Sequence, residues 1–521
     1  MSRHLFISGI LLINFFPAPY AQLIEKVKEI NTAPNGSAYP HNLTTANNKL
    51  FFIAGDNINY NKLWITEGDS ATTHMLGPAT GALNSIANLV SYKGKVYFSY
   101  NDEINGLELW VSDGTAAGTV IFKDLYPGIT GSFPQSFTVA NNKLFFMAGS
   151  VDGERRLYVS DGTVAGTVVI KNNYIDLFNG MTTFAILNNN IYFRSDNGTG
   201  AGYGLWKSDG TLAGTLLVKP DITPGTAGGN YAVLNNKLYF SAFDYLNGSE
   251  LWVSDGTEPG THMVKNLKAD GVGILGSGSP ENLTVYNSKI YFEASDDAHG
   301  DELFVTDGTA AGTQLVKDML PGTNSSVPYQ ITVYNGYLYI ICIITQELWK
   351  SDGTEAGTEL VKVILPDSKF AAIWDGKMYI INSYDNSVWE SDGTAAGTGP
   401  VKVQNTLNPV ASYGGDYFFT EYNAELFFSG QCYLITGAYE LCKLTLGAAA
   451  VKAFSFTGTG NWSNPANWSG GKLPPANLPS GYSITINGQC ILDIAQHIQS
   501  GATLTVAAGK SLLILGSLNI L

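Results

Sequence analysis

Charged residues and cysteines are scarce in this sequence, and the usual catalytic motifs are missing from it. Only 14% of the 521 residues are charged, and there are four cysteines and six histidines. Four cysteines are too few for a disulfide scaffold in so long a chain, and no C-x-x-C pair or Cys/His cluster at zinc spacing occurs. No H-E-x-x-H, G-x-S-x-G or P-loop is present. The sequence therefore assigns no catalytic residue, no metal ligand and no ligand-binding residue.

Positive charge is also in short supply. The formal net charge is −15 and the pI is near 4.8. Proteins that bind nucleic acid neutralise its phosphates with a basic face. The charge therefore predicts that nucleic acid is not a partner.

Long apolar runs are absent beyond the first residues. Arg3 precedes an apolar run from Leu5 to Phe16, and Ala21 provides a small residue before Gln22. The run is too short for a stable transmembrane helix and fits a secretory signal peptide. The sequence predicts a signal at residues 1–21, cleaved near Ala21, and a secreted or cell-surface chain with no membrane span once mature.

Glycine, aromatic residues and one repeated phrase are abundant instead. The phrase ELWVSDGTAAGT at residues 108–119 returns as ELWVSDGTEPGT at residues 250–261. Recurrence at a steady interval indicates a repeated fold, because a catalytic motif is needed only once. Its turn, D-G-T-x-x-G-T, begins at Asp113, Asp161, Asp209, Asp255, Asp307, Asp352 and Asp392. The tryptophan or its replacement recurs every 40 to 53 residues, at Trp64, Trp110, Tyr158, Trp206, Trp252, Phe304, Trp349, Trp389 and Cys442.

One unit, residues 229–268, predicts four short antiparallel strands. Their apolar and alternating stretches are Tyr231 to Leu234, Leu238 to Ala242, Glu250 to Ser254 and His262 to Lys265. The turn at residues 255–257 follows the third strand, and Gly260 is expected to supply a second positive-φ position after Gly256. No stretch shows a sustained helical period.

Four strands in about 45 residues match a blade of a β-propeller. The recurrent tryptophans are the expected contacts between blades, each burying about 150 to 250 Å². Residues Leu23 to Lys28 resemble a fourth strand with no blade before it, which a closed ring uses to complete its last blade. Because Ala450 to Lys452 also fits that position, the sequence predicts eight or nine blades, with an open solenoid as the alternative.

The phrase, its spacing and the secretory start resemble the ELWxxDGT repeat proteins, a bacterial family of exported propeller-like chains. The resemblance covers residues 23–452, and the seven D-G-T-x-x-G-T turns make it specific. The units at Trp64, Tyr158, Phe304 and Cys442 depart most from the pattern. The resemblance implies a propeller over residues 22–452 and export, and it implies no chemistry at particular residues.

The tail at residues 453–521 has a different pattern. GNWSNPANW at residues 460–468 weakly resembles β-rich modules of bacterial surface exoproteins. Apolar pairs separated by glycines follow, which predicts the start of a parallel β-solenoid. The sequence stops on an apolar edge at Leu521, which suggests either a truncated product or a covering partner. Among the cysteines, Cys432 and Cys442 could face each other in a hairpin.

Two sets of acidic residues invite a functional interpretation. The aspartates of the repeated turn are expected to accept hydrogen bonds from nearby backbone N–H groups, since seven equivalent turns cannot converge on one substrate. The loop from Asp296 to Glu302 is the densest acidic cluster. It suits either Ca²⁺, which prefers hard oxygen ligands, or a solvated hairpin loop.

The preferred functional hypothesis is an exported, non-enzymatic all-β propeller that binds a glycan or a protein partner. The expected binding surface is the variable loops before each E-L-W strand, namely Asp102 to Leu107, Asp244 to Ser249 and Asp296 to Asp301. A polysaccharide hydrolase or lyase with a site at the propeller mouth is the alternative, because a ring brings distant carboxylates together. A purely structural surface repeat protein is the third hypothesis.

Overall fold

The structure is a computed structural model that describes residues 22–56, 58, 61–76, 86–149, 155–171, 184–196, 202–225, 231–268, 276–382, 385, 387–401, 410–411, 419–432, 438–446, 453–469, 473–474, 477–478, 482–498 and 502–520. The predicted signal peptide and residues 450–452 lie outside this part. No helix within it is long and apolar enough to cross a membrane.

The first two strands of each unit are apolar and alternating, and short turns join them. After the N-terminal strand β1 (Gln22–Lys28), the first four blades contain β2 (His41–Ala46), β3 (Lys49–Ala54), β4 (Lys62–Thr66) and β5 (His74–Met75); β6 (Ile86–Tyr92), β7 (Lys95–Asn101), β8 (Leu107–Ser112) and β9 (Val120–Lys123); β10 (Gln135–Ala140), β11 (Lys143–Gly149), β12 (Arg155–Ser160) and β13 (Val168–Lys171); β14 (Ala185–Leu187), β15 (Asn190–Asp196), β16 (Tyr203–Ser208) and β17 (Leu216–Pro220).

The next four blades follow the same order. They contain β18 (Thr223–Pro224), β19 (Tyr231–Leu234), β20 (Lys237–Asp244), β21 (Gly248–Ser254) and β22 (His262–Lys265); β23 (Glu281–Tyr286), β24 (Lys289–Ala294), β25 (Glu302–Thr306) and β26 (Gln314–Lys317); β27 (Pro328–Tyr334), β28 (Tyr337–Cys342), β29 (Glu347–Ser351) and β30 (Thr358–Val363); β31 (Ser368–Trp374), β32 (Lys377–Asn382), β33 (Val388–Ser391) and β34 (Gly399–Pro400). The ninth contains β35 (Val410–Ala411), β36 (Thr420–Tyr422), β37 (Glu425–Gln431) and β38 (Glu440–Leu446), with β1 as its outer strand.

These nine antiparallel sheets form a β-propeller, so the fold prediction is confirmed and the number of blades is nine. Nine apolar clusters lie between successive blades, including one between the ninth and the first. Trp110 lies in the cluster between the first two blades and Trp252 in the one between the fourth and fifth. The tryptophans therefore make the inter-blade contacts that the sequence predicts.

Strand β1 closes the ring. It pairs antiparallel with β38, with Ile24 opposite Leu444 and Lys26 opposite Cys442. Val27 is buried with residues of the first blade, including Trp64. The N-terminal segment therefore completes the last blade, and the open-solenoid alternative is wrong.

The first strands are innermost, because those of successive blades contact one another around most of the ring. Strands alternate in direction, so the connections of each blade emerge at two opposite faces. We call the turn face the side with the turns between first and second strands and the D-G-T-x-x-G-T turns, such as 235–236 and 255–261. We call the loop face the side with the second-to-third-strand loops and the links between blades, such as 245–247 and 266–268.

The repeated turn depends on close approach of its own atoms. Asp255 Oδ1 accepts hydrogen bonds from the Thr257 N–H at 2.8 Å and its hydroxyl at 2.7 Å. Gly256 has φ +89°. The expected positive φ at Gly260 is wrong: a Cβ there would lie 2.0 Å from Asp255 Oδ1, so glycine is required for space.

The tail forms a separate stack of parallel strands. Three parallel sheets are built by β39 (Ala453–Phe456), β42 (Ser483–Ile486) and β45 (Thr503–Val506); β40 (Thr459–Asn461), β43 (Gln489–Leu492) and β46 (Ser511–Ile514); β41 (Asn477–Leu478), β44 (Ala495–Ile498) and β47 (Ser517–Ile520). A 3-10 turn spans Pro465–Asn467. Trp462 and Trp468 pack edge to face at 4.8 Å inside the stack.

The ninth blade also contains a disulfide, between Cys432 and Cys442. The bond joins the residue that follows β37 to the first half of β38. The sequence indicates that these two cysteines could face each other across a hairpin, and the structure shows them bonded. Cys342 and Cys490 are buried thiols.

Candidate functional site

The aspartates of the repeated turns serve the turns themselves. In each of the seven, Oδ1 accepts a hydrogen bond from the N–H and the hydroxyl of the threonine two residues later. In Asp255 the threonine hydroxyl is the main cause of a lowered pKa, followed by the threonine N–H. The structural interpretation of these residues is confirmed.

The glutamate that begins E-L-W has a structural role that sequence reasoning missed. Glu250, fully buried, accepts the N–H groups of Leu267 at 3.0 Å and Gly278 at 2.9 Å. Glu440 does the same for Ile30 and Asn31, immediately after β1. Each such carboxylate fixes the link to the next blade. Its recurrence at one position of the phrase was the available signal.

In several blades a lysine near the end of the fourth strand locks the blade to the next. Lys123 donates to the Thr167 carbonyl at 2.6 Å, and Lys265 donates to the Thr313 carbonyl at 2.8 Å. In both pairs the acceptor lies in the repeated turn of the following blade. This lysine is therefore part of the scaffold.

The three predicted binding loops all lie on the loop face, in the second, fifth and sixth blades. Asp102, Asp244 and Asp296 each accept hydrogen bonds from two backbone N–H groups of their own loop. Each carboxylate also forms a hydrogen bond with the side chain three residues later, which is an asparagine in the first two loops and His299 in the third. These aspartates shape the loops. The side chains at the tips of the loops remain at the surface.

The carboxylates of the acidic cluster from Asp296 to Glu302 accept hydrogen bonds from different donors. Asp296 accepts from His299 at 2.9 Å, whereas Glu302 accepts the N–H groups of Met319 at 2.8 Å and Ser326 at 2.9 Å. Asp301 accepts from the hydroxyl of Ser325. No group of three His, Cys, Asp or Glu residues suited to a metal occurs in the part of the chain that the structure describes. The Ca²⁺ hypothesis stays a prediction.

The central channel is apolar toward the turn face. Each first strand exposes one side chain at the position that pairs with a buried apolar residue of the second strand. Six of these nine exposed side chains are Val or Ile, with exposed fractions of 38 to 49%. The nine positions are Thr45, Ser91, Val139, Ile186, Val233, Val285, Val333, Ile373 and Glu421.

Toward the loop face the channel carries unlike polar residues. Glu281 and Glu293 are cross-strand partners in the sixth blade, and Asn282 Nδ2 donates to Glu293 Oε2 at 2.9 Å. Burial, with Glu281 and Asp301 nearby, raises the pKa of Glu293 to about 7. Partial burial and Asp301 also raise the pKa of Glu281.

The next two blades continue this polar rim. Tyr329 and Lys369 lie near the starts of β27 and β31, and Lys369 Nζ is 5.7 Å from the centre of the Tyr329 ring. Equivalent positions in other blades hold different residues, such as His41 and Gln135. A carboxyl pair, a phenol and an ammonium group therefore follow one another around the mouth. Such a set can bind polar groups.

Comparison with known proteins found distant structural likenesses only. No family model and no curated protein matches the chain. Similar solved structures include the computationally designed protein Ika8, with TM-score 0.36, 14% identity and coverage of 73% of this chain and 99% of that one. A structure from a study of two prolyl endopeptidases has TM-score 0.36, 12% identity and coverage of 69% and 55%. AztD from Citrobacter koseri has TM-score 0.35, 14% identity and coverage of 71% and 94%. This chain spans about half of the prolyl endopeptidase chain, and these low similarities give no information about function.

Proposed function

We propose that this chain is an exported, non-enzymatic propeller that binds a macromolecular partner, a glycan or a protein, through its loop face. One observation carries the proposal: the repeated residues are committed to turns, links and inter-blade contacts, whereas the residues that differ between blades are concentrated at the loop face. Variable surface loops on a rigid scaffold are the usual place for recognition. The secretory start supports the exported location.

A hydrolase or lyase acting on polysaccharide is the second candidate, because Glu281 and Glu293 form a carboxyl pair at the channel mouth. Glycosidases use two carboxyl groups, one protonated and one ionised. The raised pKa of Glu293 suits an acid. However, Glu293 is only 9% exposed and accepts from Asn282, which favours a structural hydrogen bond over contact with substrate.

The test of binding uses the mature protein, residues 22–521, on a glycan array and in affinity capture with purified surface proteins. We expect saturable binding that is weakened by substitutions in the loops at 102–107 and 244–249. Substitutions in the turns at 161–167 and 209–215 are the matched control. Binding that depends on the turns and ignores the loops would contradict the proposal.

A further inference from the structure

The tail stack consists of three rungs of three strands, and the last rung, β45 to β47, is exposed at its end. In the middle rung the inward-facing side chains late in the three strands are 0 to 2% exposed, at Ile486, Leu492 and Ile498. Their register partners in the last rung are 41%, 46% and 70% exposed, at Val506, Ile514 and Ile520. The core of the stack therefore continues to a surface that nothing in the described part of the chain covers.

These exposed side chains belong to one surface. Leu504, Leu512 and Leu518, one from each strand of the last rung, pack against the same apolar cluster inside the stack. Val506, Ile514 and Ile520 lie two residues further along the same strands, and alternate residues of a strand share a face. We call these six aliphatic side chains, with the strand edges that carry them, the stack end.

The backbone of the stack end has one unpaired edge in each strand. Among the described residues β45, β46 and β47 pair only with β42, β43 and β44. Proteins usually protect such edges with charged side chains, proline or bulges. The three strands read TLTV, SLLI and SLNI, and Lys510 is the one charged residue between positions 503 and 520. The edges are therefore suited to pair with further strands.

The opposite end of the stack is closed. Its inward-facing residues Phe456 and Leu478 are fully buried, and Trp468 packs edge to face on Phe456 at 5.2 Å. A head-to-tail contact, which would build a filament from unlike ends, is therefore blocked. The stack end of one copy can meet the stack end of another in a two-fold contact, which closes after two copies.

We propose that this chain forms a dimer through its stack ends. Each of the three strands has the same pattern: a hydroxyl residue, leucine, a variable residue, then Val or Ile. In a two-fold contact the strands of the two copies run antiparallel, and residues directly opposite each other point to the same side. The leucines of one copy then lie opposite the Val and Ile residues of the other, and both sets join one continuous core.

Charge does not oppose this contact. The whole chain has a net charge of −15, but residues 503–520 contain no Asp or Glu. Like-charge repulsion is therefore weak where the two copies meet. The loop face takes no part, so the inference is independent of the proposed binding function.

The test is the mass of the mature protein, residues 22–521, in solution. Sedimentation velocity from about 1 to 100 µM should show a reversible equilibrium between monomer and dimer, because three strands of four residues present a small interface. Val506→Lys with Ile520→Lys should weaken dimerisation by at least about tenfold, since charges are then placed at the facing edges. Val164→Lys with Leu212→Lys, which are exposed on the propeller, is the matched control and should dimerise as the natural sequence does. Unchanged melting temperatures establish that both double variants are folded.

Cysteine cross-linking locates the contact in a protein that keeps its stack end apolar. In a two-fold arrangement of three strands, one strand faces its own copy and the other two face each other. One of the single variants Thr505→Cys, Leu513→Cys and Asn519→Cys should therefore form a disulfide-linked dimer under mild oxidation. The other two should cross-link only when mixed with each other. Val164→Cys is the control, and the thiols of the natural sequence, Cys342 and Cys490, are buried.

Three outcomes overturn the inference. A monomer over the whole concentration range would show that a second copy does not cover the stack end. Growth beyond the dimer would exclude a closed two-fold contact. An equal loss in the Val164→Lys, Leu212→Lys control, or equal cross-linking of Val164→Cys, would place the contact on the propeller. None of these outcomes affects binding at the loop face, which is tested separately.

Discussion

Lys28, in the first strand of the chain, donates from Nζ to the carbonyl oxygen of Thr73 at 2.6 Å. The contact repeats the one that Lys123 and Lys265 make with the turn of the following blade. Because Lys28 belongs to the ninth blade and Thr73 to the first, the hydrogen bond spans the closure of the ring.

Removal of residues 22–30 should lower the melting temperature by several degrees, because the ninth blade loses its outer strand and Glu440 loses the N–H donor of Ile30. Lys28→Met should give a smaller loss, since only the bond to Thr73 is removed. Lys26→Met, on the same strand, is the control. Thermal unfolding of the three variants checks the prediction, and a silent deletion would show that β1 does not close the ring.

The repeated turn predicts coupling between Asp255 and Gly260. Asp255→Ala should cost about 1 to 2 kcal/mol of unfolding free energy, as for lost local hydrogen bonds, and leave ligand affinity within about twofold. Gly260→Ala should cost about 1 to 3 kcal/mol, because its Cβ would overlap the carboxylate. In the Asp255→Ala background that second cost should shrink.

Denaturant unfolding of the single and double variants measures this coupling. Gly399→Ala is the matched control, because a Cβ at Gly399 meets nothing within 4 Å. Additive costs in the double variant would show that Gly260 is glycine for another reason.

Most of the fold was predictable because the same local sequence pattern recurs from blade to blade. The unit from Tyr231 to Lys265 folds as four strands at the expected places, since alternating apolar residues and a D-G-T turn specify a blade locally. The number of blades was left open because Ala450 to Lys452 fitted the fourth strand of the last unit as well as Leu23 to Lys28 did. The role of Gly260 was predicted wrongly because lack of space for a Cβ and a positive φ both require glycine, and the sequence alone does not distinguish the two requirements.

The candidate site was less predictable. The sequence indicated the loops beginning at Asp102, Asp244 and Asp296, but the pairing of Glu281 with Glu293 depends on register across β23 and β24. Glu302 was grouped with the acidic loop, yet its carboxylate is turned to the backbone of the next link. Adjacency in sequence does not show which face of a strand a residue occupies.

Buried glutamates predict that stability changes with pH. Burial raises the pKa of Glu250 and of Glu440 to about 7, against 4.5 for the ordinary group. At pH values between these two pKa values, Glu250 and Glu440 are protonated in the folded protein and ionised in the unfolded chain. Their contribution to the free energy of unfolding is therefore present at low pH and is lost as pH rises toward 7.

The melting temperature should therefore be higher near about pH 5 than near about pH 7. The variant with Glu250→Gln and Glu440→Gln should show a smaller difference, while Glu258→Gln, on the turn face, should behave as the natural sequence does. A melting temperature that rises between the two pH values would contradict the raised pKa values.

The disulfide between Cys432 and Cys442 should stabilise the ninth blade. It spans a sequence separation of 10, and closing so short a loop contributes about 2 to 3 kcal/mol. A reducing agent should lower the melting temperature of the natural sequence and leave the Cys432→Ala, Cys442→Ala variant unaffected. An equal response of both proteins would exclude a stabilising role for the bond.

Variants of the carboxyl pair Glu281 and Glu293 distinguish a binding function from a catalytic one. We expect no product from a panel of polysaccharides, esters or peptides, because Glu293 is almost fully buried and no nucleophile lies in an activating arrangement among the described residues. Glu281→Gln and Glu293→Gln should leave partner binding within about threefold and change stability more than any activity. Product release should be followed by reducing-sugar assay and mass spectrometry, with Glu425→Gln as the control carboxyl variant. Reproducible product that either Glu281→Gln or Glu293→Gln abolishes, and that Glu425→Gln retains, would establish an enzyme whose acid and base are this pair.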